Sequence, residues 1–367
     1  MRIKNIVFAV ASTLSMSALA DNASVNSAEI QKAIQLLEEK GYQIDSPVES
    51  KKSLPPGVQL KTYQAGTIDA FLSGAFGRTK YKGADISADP VTTRDNSYNL
   101  RGSFAYQSPS KLGVQFDAVY SQDDMKKAKM TTLDLAGHAF YRNDKFLLGL
   151  FGQYKQPKLR NKNIVDNSSD LGTAFIANSV INSSSDALVK DQAFFGAEAQ
   201  GYFGDLTLTG QVARQNFINK GSNNSDISGD AYKRGSVATA KADYFVNDNW
   251  KVTGGYSFNN VSGPLSYDTK KYTLGSEYRL NNYPVSFFAD YTRNKLSLDE
   301  SGGLFATSKF DTDAVMLGMK WNFGSDSLKS RNRSGASLDP ISNMGFANLW
   351  GHALGVTPTI NADEFLP

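Results

Sequence analysis

From Thr67 to Phe323 the chain repeats one device: a run of about ten residues that alternates apolar and polar side chains, closed by a turn. Twelve such runs lie near 67–77, 98–107, 112–122, 131–142, 146–155, 191–203, 206–217, 235–245, 250–260, 270–280, 285–296 and 312–323. Strict alternation has the period of a β-strand, whose successive side chains point to opposite faces. Ten residues at about 3.3 Å each, tilted by about 45°, span the hydrocarbon of a bilayer. The connections alternate in length. Five are tight: Ser108 to Lys111, Asn143 to Lys145, Gly204-Asp205, Asn247 to Asn249, and Asn281 to Pro284. They are built from residues that favour turns, by positive φ or by bonding nearby backbone. The other six are longer and polar, the longest running from 156 to 190.

The two faces of the runs differ in kind. One parity is apolar, as in Leu112, Val114, Phe116, Ala118 and Tyr120, or Val315, Leu317, Met319, Trp321 and Phe323. The other is polar, so the chain's bland average hydropathy conceals two unlike halves. On the apolar parity, aromatics collect at both ends of the strands: Tyr106, Tyr141, Phe146, Phe203, Tyr244, Trp250, Tyr278, Trp321 and Phe323 near the tight turns, and Phe76, Tyr98, Tyr120, Tyr154, Tyr256, Tyr272 and Tyr291 near the long loops. Such rings belong at the two interfaces of a membrane. They account for a composition of 22 Phe and 17 Tyr against two His. A soluble β-sandwich or β-helix would also alternate, but with a polar outer face. A bundle of membrane helices is excluded, because each helix needs roughly 20 consecutive apolar residues. Nucleic acid is not an expected partner, since 39 basic residues are nearly balanced by 36 acidic ones and phosphate binding calls for a basic face.

Residues 1–20 have the form of a secretory signal peptide, with Arg2 and Lys4, an apolar stretch from Ile6 to Leu14, and Ala18-Leu19-Ala20 before the cut. The chain has no cysteine, so no disulfide supports the exported protein. On these features it resembles the Gram-negative outer-membrane β-barrels of the porin-like class, over 67–323 and the leader. The resemblance implies a bacterial outer-membrane location among lipid and lipopolysaccharide, with both termini periplasmic. It also implies insertion by the barrel assembly machinery. The run Ala314 to Phe323, with Trp321 and Phe323, looks like the final-strand assembly signal of that class. In many such proteins this aromatic ends the chain, whereas here 44 residues follow.

The expected fold is therefore all-β, a transmembrane antiparallel up-and-down barrel of about 12 strands over 67–323. Residues 21–66 form a periplasmic extension with a short helix at 26–40, where Asn26 and Glu29 suit an N-terminal cap. Residues 324–367 form a C-terminal periplasmic tail. The tail carries a basic patch (Lys329, Arg331, Arg333) and a helically spaced set, Phe346, Leu349, Trp350 and Leu354. It is read as a loosely ordered tail with one docked amphipathic turn, with entry into the lumen as the alternative.

Twelve strands lie between the roughly eight whose lumen side chains fill and the 16–18 of open porins. On the lumen parity stand Asp69, Asp117, Asp134, Glu198, Asp243, Glu277 and Asp290 against Arg101, Arg142, Lys155, Lys241, Lys251, Arg279 and Lys320, with His138 beside them. Seven acids against seven bases form either a polar eyelet of weak ion selectivity or a salt-bridged interior. In the longest loop, the apolar stretch 171–177 with Val180-Ile181 is either a constriction folded into the pore or a surface hairpin. The group Asp226, Ser228 and Asp230 lacks the spacing of a calcium loop. No metal or cofactor is expected. An enzyme is not expected either, because a serine hydrolase needs a histidine within reach of its nucleophile, and only His138 lies in a strand, on the lumen face. The expected function is a porin-like channel for passive diffusion of small hydrophilic solutes, with homo-oligomerisation left open. The alternative is a plugged structural or assembly barrel that engages another envelope component through its extensions.

Overall fold

The structure is a computed structural model that describes residues 66–84, 90–124, 128–161, 190–218, 234–263, 266–298 and 309–341. Twelve strands run β1 (Thr67–Ala84), β2 (Pro90–Gln107), β3 (Leu112–Asp124), β4 (Ala128–Arg142), β5 (Phe146–Asn161), β6 (Asp191–Phe203), β7 (Leu206–Ile218), β8 (Arg234–Asn247), β9 (Trp250–Ser262), β10 (Tyr267–Arg279), β11 (Val285–Leu298) and β12 (Lys309–Phe323), followed by the helix α1 (Leu328–Ser334). Each strand pairs antiparallel with its sequence neighbours, and β12 pairs with β1 to close the barrel. All twelve alternating runs are strands. The closing register sets Ala70 opposite Phe323 and Lys82 opposite Asp311, so 312–323 is the final strand. The leader, the helix read at 26–40, the stretch 171–177, Asp226 to Asp230 and the set Phe346 to Leu354 lie outside the described residues.

At the tight turns the strand ends agree with the sequence because the turn chemistry is local. Lys111, Asn282 and Gly204 take positive φ. The Asn143 side chain accepts from the backbone N–H of Lys145 and of Phe146 at 2.8 and 2.9 Å, and Asn247 accepts from Asn249 N–H in the same way. At the opposite end the strands run further than the alternation indicates, which corrects the expectation of six long loops. The connections 85–89, 125–127 and 263–266 are short. Pairing there continues through residues such as Lys80, Asp95 and Asp123, since backbone hydrogen bonding does not require an apolar face once the strand leaves the bilayer.

The outer surface is apolar. Leu112, Phe116, Leu150, Phe195, Val212, Leu274 and Leu317 are all exposed, over every part of the circumference. In water so continuous a patch would drive association; against lipid it is the expected surface of a membrane barrel. Both aromatic rings are on it. Phe76 packs on Tyr98 and Tyr256 on Tyr272, each at 5.3 Å between ring centroids near the loop end, and Tyr141 meets Phe146 at 6.1 Å near the tight turns.

After Phe323 the chain reverses. Gly324 takes φ of +100°, and a Cβ there would meet the Ile68 carbonyl oxygen at 2.4 Å, so both conformation and space call for glycine. The expected loosely ordered periplasmic tail is thereby corrected for its first part. Residues 325–341 fold back into the barrel from the tight-turn end, where side chains of the wall bond the segment's backbone and its charged groups.

Candidate functional site

The returning segment first builds a cap at the tight-turn mouth. Ser327 caps α1 by accepting from Ser330 N–H at 3.0 Å. Lys329 forms an ion pair with Asp205 at 2.7 Å in the β6–β7 turn, and its backbone N–H donates to the Asp248 carbonyl. Arg333 donates to the Gly204 carbonyl at 2.6 Å and lies 4.6 Å from the Tyr202 ring centroid. The basic patch seen in the sequence is thus spent on the barrel's own turns and wall.

Its third member, Arg331, points inward to Asp69 at 3.2 Å, both side chains being almost wholly buried, and also donates to the Asn322 side chain. Asp69 holds more than this cation. Its carboxylate also accepts from Ser325 N–H at 3.0 Å and Ala336 N–H at 2.9 Å. Arg279 donates to the Ser325 carbonyl, and Arg142 donates to the Gly335 carbonyl and the Ser337 hydroxyl at 2.9 and 2.8 Å. Gly335 sits so close that a Cβ would meet Asp69 Oδ2 at 2.5 Å.

Beyond Gly335 the segment climbs without regular secondary structure, and four glutamines on the wall read its backbone. Gln115 donates to the Leu338 carbonyl and accepts from the Leu338 N–H; Gln153 does both for Ile341. Gln211 donates to the Asp339 carbonyl, and Gln200 donates to the Ser337 carbonyl at 3.4 Å and accepts from the Ser337 hydroxyl. Each two-way amide contact replaces the water that a buried peptide group would otherwise lose. Between these rungs lie apolar sockets. Ala336 packs with Phe71 and Ala105, Leu338 with Phe140, Leu147 and Tyr202, and Ile341 with Phe151, Phe194, Ala213 and Val237.

At mid-height the charged wall residues connect into a belt. Lys320 reaches Glu277 at 2.9 Å; Lys251 stands between Glu277 and Asp243 at 3.6 and 3.8 Å; Lys241 meets Asp243 at 3.3 Å. Across the lumen Arg101 bonds Asp117 at 2.8 Å, and the His138 ring nitrogens face Asp117 at 3.5 Å and Glu198 at 2.9 Å. With a carboxylate at each ring nitrogen, His138 is not turned to a serine hydroxyl. Asp339 joins the two halves, pairing with Arg101 at 2.6 Å and Lys241 at 2.5 Å. Its withdrawal from bulk water into the lumen pushes its carboxyl up, but Lys241 and Arg101 outweigh that and hold it well below the usual carboxylate range.

Against the belt, and lined by Arg101, Lys241, Lys251, Glu277 and Lys320, lies a cavity of about 530 Å³, floored by Asp339, Pro340 and Ile341 and walled by Thr79, Ser97, Asn99, Ser121 and Asn294 towards the loop end. Asp134, Lys155 and Asp290 line it; Asp134 and Lys155 stand opposite one another in the β4–β5 register. The fifteen charged positions read from the lumen parity therefore sort into three sets: Asp69, Arg142 and Arg279 hold the cap; Arg101, Asp117, His138, Glu198, Lys241, Asp243, Lys251, Glu277 and Lys320 form the belt, five of them also lining the cavity; and the remaining three line the cavity outside the belt. The glutamines and the apolar sockets are absent from that reading. Their signal is present in the sequence, since Phe71, Phe140, Leu147, Phe151 and Phe194 interrupt an otherwise polar parity. Among the described residues no cluster of three or more His, Cys, Asp or Glu is arranged to hold a metal ion.

No family model matches the chain, and no curated protein matches it. Among solved structures it is similar to the translocator domain of the autotransporter NalP from Neisseria meningitidis, with a TM-score of 0.44 and 10% identity over 83% of this chain and 98% of that one. It is also similar to an outer membrane channel from Pseudomonas putida F1, with a TM-score of 0.42 and 10% identity over 72% and 100% of the two chains. For a Pseudomonas aeruginosa FadL homologue the TM-score is 0.37, at 10% identity over 70% and 90%. Likenesses this remote carry no argument about activity, which must come from the lumen itself.

Proposed function

We propose that this protein is a gated channel of the bacterial outer membrane, which passes small hydrophilic solutes by diffusion and is held shut by its own residues 325–341. The supporting observation is how the segment is attached. It completes no strand of the sheet, which closes through β1 and β12 without it. It is held instead by side-chain hydrogen bonds, ion pairs and three small apolar sockets, and the polar contacts are ones that water or a solute can replace. Beneath it the wall carries acids and bases of both signs, so the opened pore passes small neutral and zwitterionic solutes with weak ion selectivity. The tight-turn end, where the segment enters, is taken as periplasmic, the side on which transmembrane barrels keep their short turns. No step of chemistry is assigned to His138 or to any other lumen group.

The rival is a permanently plugged barrel that serves an envelope assembly, and the near-complete burial of the Arg331–Asp69 pair favours it. Planar-bilayer recording separates the two. The expected result is a full-length protein that is closed or opens rarely, and a variant ending at Gly324 that gives steady unitary conductance. A truncated barrel that inserts and stays silent would sink the channel.

A further inference from the structure

Asp339 is gripped from opposite walls. Arg101 lies on β2 and Lys241 on β8, six strands apart in either direction around a ring of twelve. Arg101 Nη1 donates to one carboxylate oxygen and Lys241 Nζ to the other. Each cation also has an acid on its own wall: Arg101 Nε and Nη2 donate to Asp117 Oδ1, and Lys241 Nζ lies 3.3 Å from Asp243. Those acids are shared with other donors, and neither takes up Arg101 Nη1. Asp117 accepts from Gln115 at 2.7 Å and faces His138; Asp243 accepts from Thr253 at 2.6 Å and faces Lys251. The inward donors of Arg101 and Lys241 are therefore directed at a carboxylate that comes from within the lumen. The Asp339 side chain is 43% exposed, and it forms the cavity floor, so a solute in the cavity reaches the same two donors.

We propose that Arg101 and Lys241 form a binding site for a small organic carboxylate, which the chain's own Asp339 occupies in the closed barrel, and that a carboxylate solute entering the cavity exchanges with Asp339. The site itself stands on the geometry above; the consequence that exchange loosens the segment rests on the gated channel. The chemistry selects the ligand class. Withdrawing Asp339 alone leaves Arg101 to Asp117 and Lys241 to Asp243 and takes the acceptor from their inward donors, which is costly in a confined lumen, whereas replacing one carboxylate by another keeps every donor paired. A neutral sugar or polyol cannot make that exchange. An inorganic phosphate presents the same anionic oxygens and is the chemistry to be told apart.

Calorimetric titration of the detergent-folded full chain with succinate, inorganic phosphate and glycerol tests this. Succinate is expected to bind D339A at least tenfold more tightly than the unaltered protein, because the resident competitor is gone, and D339A/K241M is expected to lose that gain. Glycerol is expected to bind neither. Should D339A lose the heat-modifiable mobility of a folded barrel, D339N, which keeps the shape of the side chain without its charge, provides the same comparison. Equal succinate affinity with and without Asp339, or affinity indifferent to Lys241, overturns the site. Phosphate binding in the absence of succinate binding overturns the carboxylate assignment. In bilayers, succinate on the loop side is expected to raise the open fraction of the full-length protein several-fold. Because the titration does not depend on conductance, a silent barrel that still shows the D339A gain refutes the channel and leaves the site standing.

Discussion

Asp69 shows what one side chain contributes here. Parity in β1 suffices to place it in the lumen, yet its partners come from 256 to 267 residues away in sequence, and no local pattern announces them. Replacing it by Ala leaves the Arg331 guanidinium buried without a carboxylate and two backbone N–H groups without an acceptor. Breaking a buried pair in this way costs about 3–5 kcal/mol, so the D69A segment is expected to leave the lumen. Trypsin acting on the folded barrel should then cut after Arg331 and Arg333, where the unaltered protein resists. Gly335→Val should give the same cleavage by a different route, since its side chain would collide with Asp69. Asp339 carries the pH dependence. Its carboxyl is held below the ordinary range in the closed barrel, so its attachment is fully present above the free-carboxylate pKa of about 4 and lost only as pH falls through the lower bound-state value. Protection of the Leu338 and Ile341 amides against hydrogen exchange, relative to the free-chain rate at each pH, should therefore persist from pH 7 down to about pH 4; release of the segment between pH 6 and 5 would show that Arg101 and Lys241 do not set its titration.

At the level of elements, the alternating period identifies every strand, and the turn residues place their ends on one side. On the other side, hairpins continue past the bilayer where the chain is polar on both faces and the period vanishes. The sequence-level reading of the lumen considers charge, and so passes over Gln115, Gln153, Gln200 and Gln211, the residues that recognise backbone rather than charge. The returning segment is legible only in hindsight: its part outside the helix, 335–341, has no period, and α1 has seven residues, too few to be stable alone. Its order comes from the wall. Gln115→Leu with Gln153→Leu would leave the N–H and C=O of Leu338 and Ile341 buried without partners. At about 1–3 kcal/mol for each unsatisfied group, the upper part of the segment should detach while α1 stays capped on the turns. The expected signature is fast exchange confined to 338–341, with trypsin resistance at Arg331 retained; loss of both together would mean that cap and climb form one cooperative unit.

For the whole molecule, the question is whether the barrel needs its contents. The sheet's hydrogen bonds run strand to strand around a closed ring, and β1 meets β12 along an unbroken register from Ala70–Phe323 to Lys82–Asp311. None of this ladder passes through residues 325–341. The outer face is solvated by lipid whether or not the lumen is filled. Removing the segment does expose Phe151, Phe194, Leu147 and Phe140 to lumen water and leaves Asp69 facing Arg279 and Arg142 without Arg331, so stability should fall. The loss falls on the lumen, while closure depends on the wall. A chain ending at Gly324 is therefore expected to insert, to keep the heat-modifiable gel mobility of a closed barrel, and to melt at a lower temperature than the full-length protein. If that chain instead runs as unfolded before heating, the contents are part of the folding nucleus, and 312–323 closes the barrel only with the returning segment in place.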